Sequence, residues 1–360
     1  MEQQTQGRDK VIRIQNIYYM LAYAFRVLNE SGYRRLGSED FANTAELFAA
    51  VLARGISTQL KHGLGREYIE HTDSVSSLRG KIDVSGSIKT LAFLRSQMLC
   101  TYDDFSVDSY MNRIIKSSVM ELLKSDISGE RKSELRKLLV FFGEVDTIDL
   151  RCVDWNNMRF SKNNQTYRML IFICRLMAEG LIQNHAGGNT RMMDFLDDQS
   201  MHKLYERFIL EYYRREFPQV NAGASHIAWQ LDGGERYMLP VMKTDITLTF
   251  GGKTLIIDAK YYSHIMQEHF GVSSIHSGNM YQIFTYVKNK AAELSGAGYA
   301  HEVSGMLLYA KTDEDISPDI EYSMSGNMIA VKTLDLGADF AAISGELDGI
   351  VERFLLKREE

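Results

Sequence analysis

The chain has 360 residues, 45% hydrophobic and 24% charged, which suits a globular protein with room for two ordinary domains. Its formal net charge of −6 argues against capture of nucleic acid by bulk positive charge, so contact with DNA needs a local basic surface or a partner that delivers it. No apolar run reaches membrane-span length, the opening MEQQTQGRDK is not a signal peptide, and the scattered Cys100, Cys152 and Cys174 suit neither a disulfide framework nor a zinc cluster, so a cytoplasmic protein with no membrane partner is expected.

In chain order, Ile14, Ile17, Tyr18, Leu21 and Phe25 recur at helical spacing over residues 11–29, and Leu47, Val51, Leu52, Ile56 and Leu60 do so over 43–61. Residues 66–72 and 78–84 read as short strands around a Ser-rich turn. Helices are expected at about 86–98, 108–124, 130–143 and 166–183. The Gly-rich and acidic stretch 184–199 interrupts this pattern and marks the boundary between a domain at 1–190 and a second at 195–360. Beyond it, Met201, Leu204, Tyr205, Phe208 and Tyr212 stripe a helix at 200–217. Glu206 lies off that stripe, as an ordinary exposed acid or as a carboxylate turned toward a site. A strand at 225–231 and a turn at 232–235 lead into KTDITLTFGGKTLIIDAKYY, residues 243–262.

That stretch reads as a hairpin closed by Gly251-Gly252, since a two-residue primed turn needs positive φ at both central positions. With those two as the loop, Phe250 faces Lys253, Leu248 faces Leu255 and Asp245 falls opposite Asp258. Alternation puts Asp245, Thr247, Thr249, Thr254, Ile256, Asp258 and Lys260 on one face. Ile246, Leu248, Phe250, Leu255, Ile257 and Ala259 form the other, which is the expected buried side. Two facing carboxylates destabilise a sheet unless a cation intervenes. A divalent metal is one answer, and an Asp-Lys salt bridge on a solvated face is the other; the hairpin alone leaves both open.

After the hairpin, residues 261–279 are polar and Gly-containing, as in a loop at the mouth of a site. A helix is expected at 280–294 with Gln282 and Tyr286 at i, i+4, then strands at 305–310 and 329–334 and a helix at 340–356. The C-terminal part is therefore a mixed sheet flanked by helices, and the N-terminal part is mostly helical with short strands. Arg131-Lys132, Arg136-Lys137, Arg214-Arg215 and Lys288/Lys290 are basic pairs, each read as a solvated helix face. His264, His269 and His276 lack zinc-site spacing. GGKT at 251–254 imitates a phosphate-binding loop, but Thr247 stands where that motif needs glycine and β-rich TLIID follows instead of a helix, so nucleotide binding is not expected.

Thr244-Asp245 followed by Asp258-Ala259-Lys260 resembles the PD-(D/E)xK nuclease motif, with Thr in place of the usual Pro. Glu206 on the preceding helix and Gln282/Tyr286, matching a Q-x-x-x-Y element, extend the likeness in the same order. The resemblance implies an α/β restriction-endonuclease-like domain in which Asp245 and Asp258 bind Mg²⁺ (Mn²⁺ as substitute), helped by the Ala259 carbonyl. Lys260 would position or help deprotonate water, Glu206 would be an outer ligand or base, and Gln282 would orient substrate or water.

IQNIYYMLAYAF, LRGKID (78–83) and YERFILEYYRREF together resemble the McrC family, the nuclease subunit of the McrBC modification-dependent restriction system, over nearly the whole chain. That likeness implies docking through the N-terminal domain on a hexameric McrB-type AAA+ GTPase. It also implies stimulation of GTP hydrolysis, with GTP held only by the partner, and cleavage of double-stranded DNA carrying modified cytosine. A non-catalytic regulator of the GTPase and a stand-alone defence or repair nuclease are the alternatives.

Overall fold

The structure is a computed structural model that describes residues 12–25, 36, 39–160, 165–187, 198–261, 266–269, 272–296, 300–311 and 317–357. The chain divides into Ala42–Met193 and a second unit made of Met1–Phe41 with Asp194–Glu360. The expected division at 1–190 and 195–360 differs at its N-terminal end. Helix α1 (Ile14–Ala24) groups with the C-terminal residues, because its buried Asn16 donates to the carbonyls of Leu336 (2.7 Å) and Ala338 (2.8 Å) and Tyr19 stacks on Phe340 at 4.2 Å. The expected boundary at 184–199 lies mostly outside the described residues.

The unit Ala42–Met193 contains α2 (Thr44–His62), β1 (Glu67–Val75), β2 (Lys81–Ile82), α3 (Val84–Lys89), β3 (Met98–Ser106), α4 (Tyr110–Lys124), α5 (Gly129–Leu139) and α6 (Gln165–Gly187). Asn43 caps α2 by accepting the Glu46 N–H, and Leu47, Val51, Leu52 and Ile56 bury the stripe read from the sequence. The helix expected at 86–98 is not continuous. It stops at Lys89, Leu91 and Ser96 take left-handed φ of 54° and 55°, and the chain turns back into β3. β3 is the central strand of this small sheet and pairs antiparallel with both β1 and β2, a partner the sequence reading did not supply.

The other unit continues from α1 with α7 (Asp198–Glu216), β4 (Asn221–Gly223), β5 (His226–Ile227), β6 (Met242–Lys243), β7 (Ile246–Phe250), β8 (Lys253–Lys260), β9 (Met266–His269), β10 (Val272–Ile275), α8 (Ser277–Ser295), β11 (Glu302–Ala310), β12 (Ile320–Met324), β13 (Asn327–Leu334) and α9 (Phe340–Val351). The expected strand at 225–231 shrinks to the two residues of β5, and β4 and β12 are additions. Its main sheet has the order β12-β13-β11-β8-β7-β4; β11 runs parallel to β8 and β13, and the other pairs are antiparallel. This is the expected mixed sheet.

The β7–β8 register pairs Phe250 with Lys253 and Leu248 with Leu255, as the Gly-Gly turn dictates, and Gly251 and Gly252 take φ of 56° and 85°. The solvated face that the salt-bridge alternative requires is not found: the polar face of the hairpin is covered. Ile256 on that face packs with Ile283, Tyr286 and Val287 of α8, while alternation turns buried Leu255, Ile257 and Ala259 the other way. Continuous burial from Thr254 to Lys260 is the pattern of a central strand covered on both faces.

Candidate active site

The site begins at a bend. Thr244, almost fully buried, donates its backbone N–H to Ser225 O at 2.9 Å, and its Oγ1 accepts the Ser225 N–H at 2.9 Å and lies 2.9 Å from Thr247 Oγ1. These bonds tie the end of β6 to the segment before β5 and leave Asp245 just outside the β7–β8 ladder, one step before Ile246, which pairs with Ile257. Asp245 is therefore next in line with Asp258, and its Oδ2 accepts the Ala259 N–H at 3.2 Å. The two aspartates come together as the register requires.

Asp258 and Lys260 share the face of β8 that α8 covers, and both are buried. Lys260 Nζ lies 2.8 Å from Asp258 Oδ2, yet that oxygen is buried without a hydrogen-bond partner among the described residues: the contact is an ion pair with poor hydrogen-bond direction. Lys260 Nζ also reaches Gln282 Oε1 at 3.4 Å, and Gln282 Nε2 donates to Tyr286 OH at 3.1 Å. The i, i+4 pair on α8 thus faces the lysine. Ala259 enters through its N–H.

Charge crowding is written on Asp245. Burial, then the negative charges of Asp258 and Glu206, push its carboxyl up to about 8, and Lys260 opposes them only in part. Glu206 therefore lies within electrostatic reach of the acid pair from α7. Among the described residues no three His, Cys, Asp or Glu side chains converge as a metal cluster. Two close carboxylates, one raised in proton affinity and the other buried with an oxygen whose one cationic contact is poorly directed, fit a hard divalent cation completed by water and phosphate oxygens.

A further residue was absent from the sequence reading. His202 Nε2 lies 2.7 Å from Glu206 Oε1, and His202 Nδ1 accepts the Tyr261 N–H at 3.2 Å, directly after Lys260. The i, i+4 spacing of His202 and Glu206 on a helix was the available signal. Residues 262–265 and 270–271 of the expected mouth loop lie outside the described residues; the rest holds β9 and β10, paired antiparallel, and α8 starts at Ser277. No helix among the described residues is long and apolar enough to cross a membrane.

A family model described as McrBC 5-methylcytosine restriction system component matches residues 3–310, a span that includes every residue of the site. The type IV methyl-directed restriction enzyme EcoKMcrBC of Escherichia coli (strain K12) is 29% identical over 350 residues, 96% of this chain and 99% of the relative. Two solved assemblies are similar at a lower level. One is a refined half-complex from a tetradecameric assembly of Thermococcus gammatolerans McrB AAA+ hexamers with bound McrC, with TM-score 0.47, 21% identity, and coverage of 94% of this chain and 76% of that one. The other is the Thermococcus gammatolerans McrBC complex, with TM-score 0.41, 24% identity, and coverage of 56% and 58%. The match over most of its length, with a curated relative aligned nearly end to end, makes this chain a member of the McrBC 5-methylcytosine restriction system component family.

Proposed function

We propose that this chain is the McrC-type nuclease subunit of a modification-dependent restriction complex, with a PD-(D/E)xK site that hydrolyses DNA phosphodiesters with Mg²⁺ or Mn²⁺. The observation that carries this reading is the pairing of Asp245 with Asp258 beside Lys260, with a buried Asp258 oxygen that lacks a hydrogen bond. Asp245 and Asp258, with the Ala259 carbonyl, would hold the metal, which when bound neutralises phosphate charge and makes water more acidic. Lys260 positions the attacking water or stabilises charge on the phosphate. Gln282, backed by Tyr286, orients that lysine or the substrate. Glu206 serves as an outer carboxylate.

The proposed partner is a hexameric AAA+ GTPase of the McrB type, which binds the GTP and delivers double-stranded DNA carrying modified cytosine. Membership of the McrBC restriction system component family supports this partner, and the acidic balance of this chain is consistent with DNA that is delivered. Docking is assigned to the unit Ala42–Met193. Its segment from β1 to β3 exposes Tyr68, Leu78, Ile88, Phe93, Leu94 and Phe105, an apolar display that soluble surfaces rarely leave uncovered.

The test is cleavage of methylated and unmethylated DNA by the full chain with Mg²⁺, alone and with an McrB-type ring plus GTP. The proposal expects cutting only with the ring, loss of cutting in Asp258→Asn, and unchanged stimulation of GTP hydrolysis by that variant. Cutting without the ring would make the chain a stand-alone nuclease. Stimulation with no cutting by the unaltered chain would make it a regulator.

A further inference from the structure

We infer that His202 is a positioning residue of the site, fixing Glu206 on α7 to the end of strand β8; the inference rests on the nuclease reading above. A backbone N–H can only donate, so the bond from Tyr261 N–H makes His202 Nδ1 an acceptor and leaves the ring proton on Nε2. Nε2–H then donates to Glu206 Oε1, 2.7 Å away. The imidazole is held at both nitrogens.

This arrangement has two mechanical consequences. First, Glu206 Oε1 is occupied, which restrains the carboxylate whose negative charge Asp245 feels. Second, the anchor is the peptide N–H immediately after Lys260, so the helix-borne glutamate is keyed to the strand that carries Asp258 and Lys260. Glutamate alone has three side-chain torsions with which to wander. His202 removes that freedom, as histidine–carboxylate pairs outside the ligand shell of metal sites commonly do. His202 acts through Glu206 and is not itself assigned to the reacting atoms.

The experiment uses the full chain with His202→Ala, His202→Gln, Glu206→Ala and the His202→Ala/Glu206→Ala double variant. Mg²⁺ binding is measured by calorimetry, melting in chelator by circular dichroism, and cleavage with the ring and GTP as a function of Mg²⁺. Loss of the imidazole is expected to raise the Mg²⁺ concentration for half-saturation about 10- to 100-fold. His202→Gln, whose amide presents an acceptor and a donor, should recover most of that loss. The double variant should be no worse than Glu206→Ala. Unchanged Mg²⁺ binding and cleavage in His202→Ala would overturn the inference. So would Ala and Gln variants that bind Mg²⁺ equally poorly and melt equally early in chelator, or a double variant in which the two losses multiply. If Asp258→Asn binds Mg²⁺ and cuts normally, the nuclease reading falls, and this inference with it; a dead Asp258→Asn beside a fully active His202→Ala sinks only the inference.

Discussion

Lys260 Nζ lies 2.8 Å from Asp258 Oδ2 with both side chains at least nine-tenths buried, at 9% and 3% exposure. Such a pair is a poor way to stabilise a fold, because desolvation offsets most of the attraction, and removing one partner leaves an uncompensated charge. Lys260→Met should therefore destabilise the chain by about 3–5 kcal/mol, while Asp258→Asn/Lys260→Met should regain most of that loss and remain unable to cut. Urea titrations of the single and double variants measure the difference. A double variant as unstable as the single one would mean the pair is retained for the fold.

The acid pair also makes stability depend on pH in an unusual direction. Asp245 has its ordinary value near 3.8 when unfolded and about 8 when folded, so between those values the folded state holds a proton that the unfolded state has released. Metal-free stability from this group is complete below about pH 4 and is lost as pH rises toward 8. A divalent cation replaces that proton. Melting temperatures with chelator should fall over this interval, and the rise in melting temperature on adding Mg²⁺ should be larger at pH 8 than at pH 6. An equal Mg²⁺ effect at both pH values would show that the cation does not compete with a proton at Asp245.

Thr244 stands where the motif usually has proline, and the local bonds explain why proline is not equivalent here. Its N–H donates to Ser225 O and its hydroxyl accepts from Ser225 N–H, both at 2.9 Å. Thr244→Pro removes both and should cost about 1–3 kcal/mol for each buried partner left unsatisfied, loosening the bend that aims Asp245. Thr244→Ser keeps both bonds and should stay near the parent in melting and cleavage. A proline variant as stable and active as the parent would discount the bend.

The hairpin was legible because three independent constraints agree on it: the two glycines, the period-two alternation and the acids at its far ends. Gln282 and Tyr286 were legible as a pair because helical spacing leaves little choice. What failed depended on tertiary partners. Continuous burial of Thr254 to Lys260 follows from a helix lying on the polar face, and no local pattern in the strand announces it. β4 and β12, at 3 and 5 residues, are too short for alternation to stand out. The helix expected at 86–98 stops at Lys89, and Leu91 and Ser96 take left-handed φ beyond it, a choice local propensity opposes. His202 has no zinc-site spacing to mark it; its only local signal is the i, i+4 relation to Glu206, and its second partner, the Tyr261 N–H, is distant in sequence.

The close approach of α8 to the sheet supplies a final prediction. Gly305, at the middle of β11 beside Ile256, lies so near α8 that a Cβ there would come within 2.6 Å of Val287 Cγ2 and 2.8 Å of Ile283 Cγ1. Gly305→Ala should displace Val287 and Ile283, and α8 with them, at a cost of about 1–3 kcal/mol for overpacking. Ile283 is the neighbour of Gln282, whose contact with Lys260 is already 3.4 Å, so a small outward shift breaks it. Asp245 sits at the bend just before β7 and Asp258 on β8, so the acids do not ride on this helix. Gly305→Ala should therefore cut slowly while binding Mg²⁺ with parental affinity, and the Mg²⁺ titration and the single-turnover cleavage rate should separate. Should the two fall together, α8 would be supporting the carboxylates themselves, and the role given to Gln282 would have to pass to the acid pair.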